Sequence, residues 1–217
     1  MDDISLNIDG NSTLGNCLGR MLYYCNKMAY KHYDLAGAQL RQDHPNEIVE
    51  GDIRCVNAMS ARSKHCYWKK LMRRKALIAK LPSDRHLLEM TQEEWDDIKP
   101  LLRRVIKVMT SRPHIRLARA TKMSALKRPD LIPACDAKLV GHFHIEGSTD
   151  AERVIGLMER FREIAKCSGN LDALRAVKAE LAEKELFGRP IELSTTRILE
   201  ALCWMESAGI EPPPEWE

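Results

Sequence analysis

The stretch PHIRLARATKMSALKRPDLIPACDAKLVGHF, residues 113–143, decides the fold of this chain. Pro113 opens a turn, and a run of good helix formers follows it. Pro129 and Pro133 cannot continue a helix, so the link after that run is expected to be extended. Asp136 then stands where the N-cap of a second helix would stand. The sequence therefore predicts a turn, a helix, an extended link and a second helix.

The rest of the chain has the same helical character. Apolar residues recur at helical spacing, and no period-two run of strand length is found. Thr91 with Glu94 and Thr149 with Glu152 have the spacing of capping boxes. Pro100 lies inside one predicted helix and predicts either two helices or a kink there. Outside the 113–143 stretch, the predicted helices cover residues 14–33, 53–61, 67–79, 91–109, 150–167, 171–187 and 195–208.

These patterns predict an all-α, compact multi-helix protein. Residues 1–12 are interpreted as a flexible tail and residues 13–217 as a single helical domain. No run of eighteen apolar residues is present, so we expect no membrane span. The seven cysteines form no CxxC pair, which predicts reduced thiols in a cytoplasmic protein. We also expect a monomer.

Charge is unevenly distributed along the chain. Residues 54–128 hold 20 basic and 6 acidic residues, a net charge of +14, whereas the remaining residues hold 14 and 25, a net charge of −11. A basic half at about 54–128, followed by an acidic half at about 129–217, indicates a polyanionic partner such as DNA. The alternative is a solvated basic face that pairs with the acidic half of the same chain.

The segment Ile132-Pro133-Ala134-Cys135-Asp136 resembles the segment that carries the catalytic Asp in the helix-hairpin-helix DNA glycosylase superfamily. TKMSALKRPDLIPACD also resembles the core of an uncharacterised bacterial domain family, TKLLxRKRPxLIPxxD, and LSTTRILEALCWM resembles the ending of that family. The second resemblance covers most of the chain from about Pro45 onward. The first implies a helix-hairpin-helix-like element that binds the DNA backbone.

The glycosylase resemblance implies roles for particular residues. Asp136 would stabilise the positive charge that develops on the sugar and activate water. Bifunctional glycosylases place a lysine where this chain has Ala118, one helical turn before Lys122. The resemblance thus implies a monofunctional enzyme, and leaves a Schiff base at Lys122 as the alternative. The two glycines of the family's hairpin are replaced here by His114 and Arg116.

Other residues are candidates for nucleic-acid contacts. Asn57 and Trp68 lie close to several basic residues, as expected of a base pocket that combines an amide with a stacking ring. The structural alternative places Trp68 in the core and Asn57 in a backbone contact. The residues expected to bind DNA are His114, Arg116, Arg119, Lys122, Arg73 and Arg74. His142 and His144 complete no ligand set, so we expect no metal, no metal cluster and no cofactor.

The function expected from these features is hydrolysis of the N-glycosidic bond of a flipped, modified or damaged base. The biological setting would be DNA repair, or defence against phages that carry modified cytosine. The alternative is a non-catalytic helical domain that binds nucleic acid or a partner protein. A hydrolase acting on RNA or on nucleotides would use the same Asp136.

Overall fold

The computed structural model of the protein is mostly helical, which confirms the all-α prediction. It describes residues 4–8, 12–59, 61, 64–72, 76–111, 114–213 and 216. The helices are α1 (Cys17–Lys27), a π-helix (Lys31–Leu35), α2 (Ala36–Asp43), α3 (Glu50–Ala58), α4 (His65–Met72), α5 (Ala76–Ala79), α6 (Gln92–Thr110), α7 (Leu117–Lys127), α8 (Ala137–His142), α9 (Asp150–Lys166), α10 (Asn170–Ala182) and α11 (Thr195–Ser207).

The 113–143 stretch has the predicted order of elements around its described residues. Helix α7 follows Arg116, whose backbone is extended, and ends at Arg128, just before Pro129. The chain then runs without regular structure to Asp136, which caps α8. Most residues of α7 are buried, because α2, α3, α6 and α9 all pack against it. Helix α7 is therefore the central helix of the fold.

The two longest helices, α6 and α9, pack against each other beside α7. Both predicted capping boxes are confirmed, Thr91 with Glu94 at the start of α6 and Thr149 with Glu152 at the start of α9. Pro100 lies within α6, which continues through it from Gln92 to Thr110. Of the two alternatives predicted for Pro100, two separate helices or a kink, the first is therefore excluded.

The prediction of a flexible tail at residues 1–12 was wrong for the described part of that segment. Strand β1 (Leu6–Asn7) pairs antiparallel with β2 (Thr13–Leu14), and Leu6 is completely buried. The side chain of Asn170 accepts from the Asn7 N–H at 2.8 Å and donates to its carbonyl at 2.6 Å. These long-range hydrogen bonds hold the segment to Asn170, and they could not be predicted from the local composition.

A short hairpin replaces the end of the helix predicted at 171–187. Helix α10 ends at Ala182, and β3 (Glu185–Leu186) pairs antiparallel with β4 (Arg189–Pro190). The two connecting residues, Phe187 and Gly188, have φ values of 56° and 73°. Positive φ at both positions is what a type I′ hairpin turn requires. Gly188 therefore serves a hairpin turn, and the helix predicted to reach residue 187 ends at Ala182.

One continuous cluster of buried apolar side chains extends from Leu6 to Met205. It draws on the N-terminal hairpin and on most of the helices. None of the helices in the described segments combines the length and the apolarity that crossing a bilayer requires.

An ion pair is buried between α3 and α7. Nζ of Lys127 lies 2.8 Å from Oδ1 of Asp52, and both side chains have no exposed surface. Lys127 also donates to the carbonyls of His44 and Leu40, at 3.1 and 3.4 Å. Burial raises the pKa of Asp52, although its contact with Lys127 opposes this shift. The pair joins α7 to α3 and to the end of α2.

We expect Lys127→Met to lower the free energy of unfolding by about 3–5 kcal/mol, because it leaves the Asp52 carboxylate buried without its partner. The measurement is urea unfolding at neutral pH. The control is Arg54→Ala, which removes an exposed ion pair to Glu50 and should cost about 1 kcal/mol or less. Equal losses for the two variants would contradict this account of the pair.

Candidate functional site

A cavity of about 610 Å³ lies among α1, the π-helix, α3, α7, α8 and α11. Its volume is in the range of pockets for small molecules. Many of its walls are alanine methyl groups, which leave space where larger side chains would fill it. The alanines are Ala29, Ala58, Ala118, Ala134, Ala137 and Ala201. The other lining residues are Tyr24, Met28, His32, Met59, Lys122, Asp136, Lys138, Arg197, Glu200 and Trp204.

Asp136 presents its carboxylate at this pocket from the start of α8. Oδ1 accepts from the backbone N–H groups of Lys138 and Leu139, at 2.9 and 3.1 Å. Oδ2 accepts from Nε1 of Trp204 on α11 at 2.8 Å. The predicted N-cap is therefore confirmed, and a second helix holds the other oxygen. Three N–H donors keep the carboxylate in one orientation at the edge of the cavity.

Lys122 enters the same pocket from α7. It is 8% exposed, and its Nζ donates to the backbone carbonyl of Met59 at 2.8 Å. Burial lowers the pKa of Lys122; the charge of Asp136 opposes this shift, and the charge of Arg197 adds to it. A lysine with a lowered pKa holds a larger fraction of neutral amine at neutral pH. The pocket thus combines a fixed carboxylate with an amine suited to nucleophilic chemistry.

Arg197 is the central polar residue of the wall that α11 contributes to the pocket. It is 3% exposed and lies between the rings of Tyr24 and Tyr33, with its guanidinium carbon 5.2 and 5.1 Å from their centroids. Nε donates to Asp34 at 2.7 Å, and Nη1 contacts Oε2 of Glu200. Burial disfavours the guanidinium charge, but Asp34 and Tyr24 outweigh burial, so the pKa of Arg197 is raised. Arg197, Asp34, Glu200 and Tyr24 are called the Arg197 cluster below.

The two residues predicted for a base pocket lie elsewhere. Trp68 is completely buried, so its indole packs in the core and cannot stack on a base. Asn57 is exposed on α3 and is not among the residues that line the cavity, whereas the next two residues, Ala58 and Met59, line it. The assignment of Trp68 to a base pocket was therefore wrong, and the structural alternative that placed Trp68 in the core is the correct one; Asn57 is not part of this cavity.

The turn before α7 carries the residues that occupy the glycine positions of the glycosylase hairpin. His114 has a φ of 65°, in the left-handed region that glycine favours. Its ring stacks on Tyr67, with centroids 4.3 Å apart. Ile115, the apolar residue between the two positions, is completely buried. His114 therefore adopts a backbone conformation that glycine favours, although it is not a glycine.

The predicted DNA-binding arginines of α7 have partners within the chain. Nε of Arg116 donates to Asp150 at 2.8 Å, and the Arg116 side chain is 76% exposed. Nε of Arg119 donates to the carbonyl of Ala61 at 2.7 Å. Asp150 is only 10% exposed and also accepts from the Leu117 N–H at 3.2 Å, so this pair helps to hold the start of α9 against the start of α7. Arg119 instead holds α7 to the segment that contains Ala61.

Part of the basic half lies in the interior. Lys122, Lys127 and Arg128 are buried, and Arg128 donates to the carbonyls of Leu81 and Pro45 at 2.8 Å. A surface phosphate contact is therefore the wrong assignment for Lys122. Arg73 and Arg74, also predicted to bind DNA, lie outside the described residues. Exposed basic residues of the described part include Arg103, Arg104 and Lys107 on α6.

Within the segments that the structure describes, no three His, Cys, Asp or Glu side chains come together in a way that could hold a metal ion. His142 and His144 flank Phe143 at the end of α8, and the His142 ring contacts the Phe143 ring edge-on at 4.8 Å.

A family model described as a family of unknown function, DUF6308, matches residues 20–207. The chain belongs to this family. The matched segment contains every residue that lines the pocket, from Tyr24 to Trp204, so the pocket lies wholly within the DUF6308 domain. No curated protein and no solved structure matches the chain.

The sequence analysis missed the Arg197 cluster. A local signal was present, since Arg197 and Glu200 interrupt the apolar stripe of α11 at a spacing of three residues. Charged residues on the buried side of a helix require partners. The partner Asp34 lies 163 positions away in the chain, so helical periodicity could not identify it.

We expect Lys122 to react with formaldehyde and cyanoborohydride at lower pH than an exposed lysine, because its lowered pKa leaves more of the reactive neutral amine. Mass spectrometry of peptides would give the extent of methylation from pH 6 to pH 10. Exposed Lys178 is the internal reference. A Lys122 profile that coincides with the Lys178 profile would contradict the expectation.

Proposed function

We propose that this DUF6308 protein is a DNA glycosylase that hydrolyses the N-glycosidic bond of a flipped base and leaves an abasic site. One observation carries the proposal: Asp136 and Lys122 line the same cavity of about 610 Å³. A base must leave the duplex for such chemistry and needs a pocket of this kind.

Asp136 is the charge-stabilising group and general base in this proposal. The C1′–N bond breaks, its electron pair leaves with the base, and positive charge develops on C1′ and O4′. The carboxylate stabilises that charge and accepts a proton from the water whose oxygen adds to C1′. The hydrogen bonds from Lys138, Leu139 and Trp204 support this role, because they orient the carboxylate before substrate arrives.

The lowered pKa of Lys122 supports a second chemistry at the same site. A neutral lysine amine can attack C1′ and form a Schiff base with the opened sugar, in place of water. Borohydride reduces such an intermediate and leaves the protein covalently attached to DNA. Trapped product with wild type and none with Lys122→Ala would assign the Schiff-base route, and abasic sites without trapped product would assign the water route.

The DNA surface in this proposal includes residues 114–116, just before α7, and the exposed side of α6. His114 and Arg116 are exposed at the turn, and Arg103, Arg104 and Lys107 are exposed on α6. Side chains of this kind neutralise phosphates without reading sequence. They supply affinity, and the pocket supplies selectivity.

We expect Asp136→Asn to lower the rate of base release about 100-fold or more, because it removes the charge that stabilises the transition state. Asparagine keeps the capping oxygen, but its NH₂ group can face the Trp204 N–H that now donates to Oδ2. The control is therefore Trp204→Phe, alone and combined with Asp136→Asn. Trp204→Phe alone should lose much less activity than Asp136→Asn, because Oδ1 keeps its two backbone donors, and the double variant should be as inactive as Asp136→Asn although it lacks the donor–donor clash.

The assay measures abasic sites in a panel of DNAs, single-stranded and duplex. The panel contains uracil, alkylated and oxidised bases, and 5-hydroxymethylated or glucosylated cytosine, so it also distinguishes repair from phage defence. Salt-sensitive DNA binding with no base release from any DNA would favour the alternative, a non-catalytic helical nucleic-acid-binding domain. In that case, Asp136→Asn would leave binding unchanged.

A further inference from the structure

Glu200 is an unusual group to find in the wall of a pocket. It is 1% exposed, yet it lines the cavity one helical turn from Trp204, which holds Asp136. Oε2 contacts Nη1 of Arg197. Among the described residues, Oε1 accepts no hydrogen bond from the protein. A buried carboxylate oxygen in a cavity wall needs a donor from whatever occupies the cavity.

The charges around Glu200 also favour an occupant that donates a hydrogen bond to it. Arg197 is already paired with Asp34, which accepts from Nε at 2.7 Å, so two carboxylates share one guanidinium. Lys122 also lines the pocket, but its Nζ donates to the Met59 carbonyl at 2.8 Å. Asp136 adds a third carboxylate at the pocket edge. At Glu200 an occupant that brings an N–H group to Oε1 is therefore favoured over one that brings a carbonyl oxygen.

We propose that Glu200 selects the base, by accepting a hydrogen bond from an exocyclic amino group through Oε1. This inference rests on the proposed glycosylase function and specifies its substrate class: bases of the cytosine or adenine type. Uracil and thymine present a carbonyl oxygen where cytosine presents its amino group. That oxygen would face a carboxylate, so uracil- and thymine-type bases are disfavoured.

The first test needs no variant of the protein. Wild type is incubated with the DNA panel described above, and mass spectrometry identifies every base that is released. Paired oligonucleotides, cytosine with uracil, 5-hydroxymethylcytosine with 5-hydroxymethyluracil and adenine with hypoxanthine, differ only in amino group against carbonyl. We expect the released base to carry an amino group, and its carbonyl counterpart to be released about 100-fold more slowly or not at all.

The second test uses Glu200→Gln, which keeps the shape of the side chain but removes the charge and adds a donor. We expect it to reduce the preference for the amino-bearing base by about 10- to 100-fold. The matched control is Glu206→Gln on the same helix, whose carboxylate is 46% exposed and contacts Arg20; its preference should equal that of wild type. Thermal unfolding checks that Glu200→Gln is folded, and the wild-type experiment decides the question if it is not.

The outcomes separate this inference from the function on which it rests. Release of a uracil- or thymine-type base, or an unchanged preference in folded Glu200→Gln, would overturn the role of Glu200 and leave the glycosylase function standing. No base released from any DNA by wild type would overturn the glycosylase function, and the inference with it. An amino-bearing product together with a reduced preference in Glu200→Gln would support both.

Discussion

The link between α7 and α8, which begins with a turn at residues 129–131, is the constraint on which the rest of this structure depends. Its backbone runs through the interior, where each carbonyl and N–H group needs a partner. Hydroxyl groups at the start of α11 supply two of them: Ser194 donates to the Pro129 carbonyl and Thr196 to the Asp130 carbonyl, each at 2.8 Å. Thr121 of α7 donates to the Cys135 carbonyl at 2.9 Å. The link is thus held from both sides.

Arg128 holds the beginning of the same link. Its five hydrogen bonds go to Pro45 and Asn46 after α2, to Ile78 of α5 and Leu81 just after that helix, and to the carbonyl of Lys127, and it is 4% exposed. Burial lowers the pKa of Arg128, so these acceptors must offset the cost of a buried charge. The result is that α8 begins at one defined place. Asp136 meets Trp204 because α11, which holds the link, also carries that tryptophan.

Local chemistry made much of the fold predictable. Helices α6, α9 and α11 begin where capping residues stand, and α8 begins at Asp136, because these signals act within a single helical turn. Gly188 shows the limit of such signals. A helix end and a type I′ turn both favour glycine at positive φ, so one glycine fits either structure. In the structure Ile191 is buried and its N–H donates to the Lys184 carbonyl at 3.1 Å, next to the hairpin.

Only some residues of the pocket could be predicted from the sequence. Asp136 and Lys122 lie in one stretch and were found there through a resemblance to known enzymes. The Arg197 cluster joins α11 to α1 and to the π-helix, which carries Asp34. A π-helix is rare and often marks a functional site, but periodicity at 3.6 residues cannot reveal it. One continuous helix was therefore predicted up to Tyr33, whereas this region of the chain forms α1, the π-helix and then α2.

Asp136 on one side of the pocket and Arg197 on the other both influence the pKa of Lys122. Asp136 raises its pKa, whereas burial and the charge of Arg197 lower it. A base that enters the cavity expels water, which increases the desolvation of the amine and lowers its pKa further. Under the proposed function, positive charge then develops on the sugar beside Asp136. A protonated lysine would repel that charge and a neutral one does not. The lowered pKa of Lys122 thus reduces the positive charge that opposes the field of the Asp136 carboxylate at the step where it is needed.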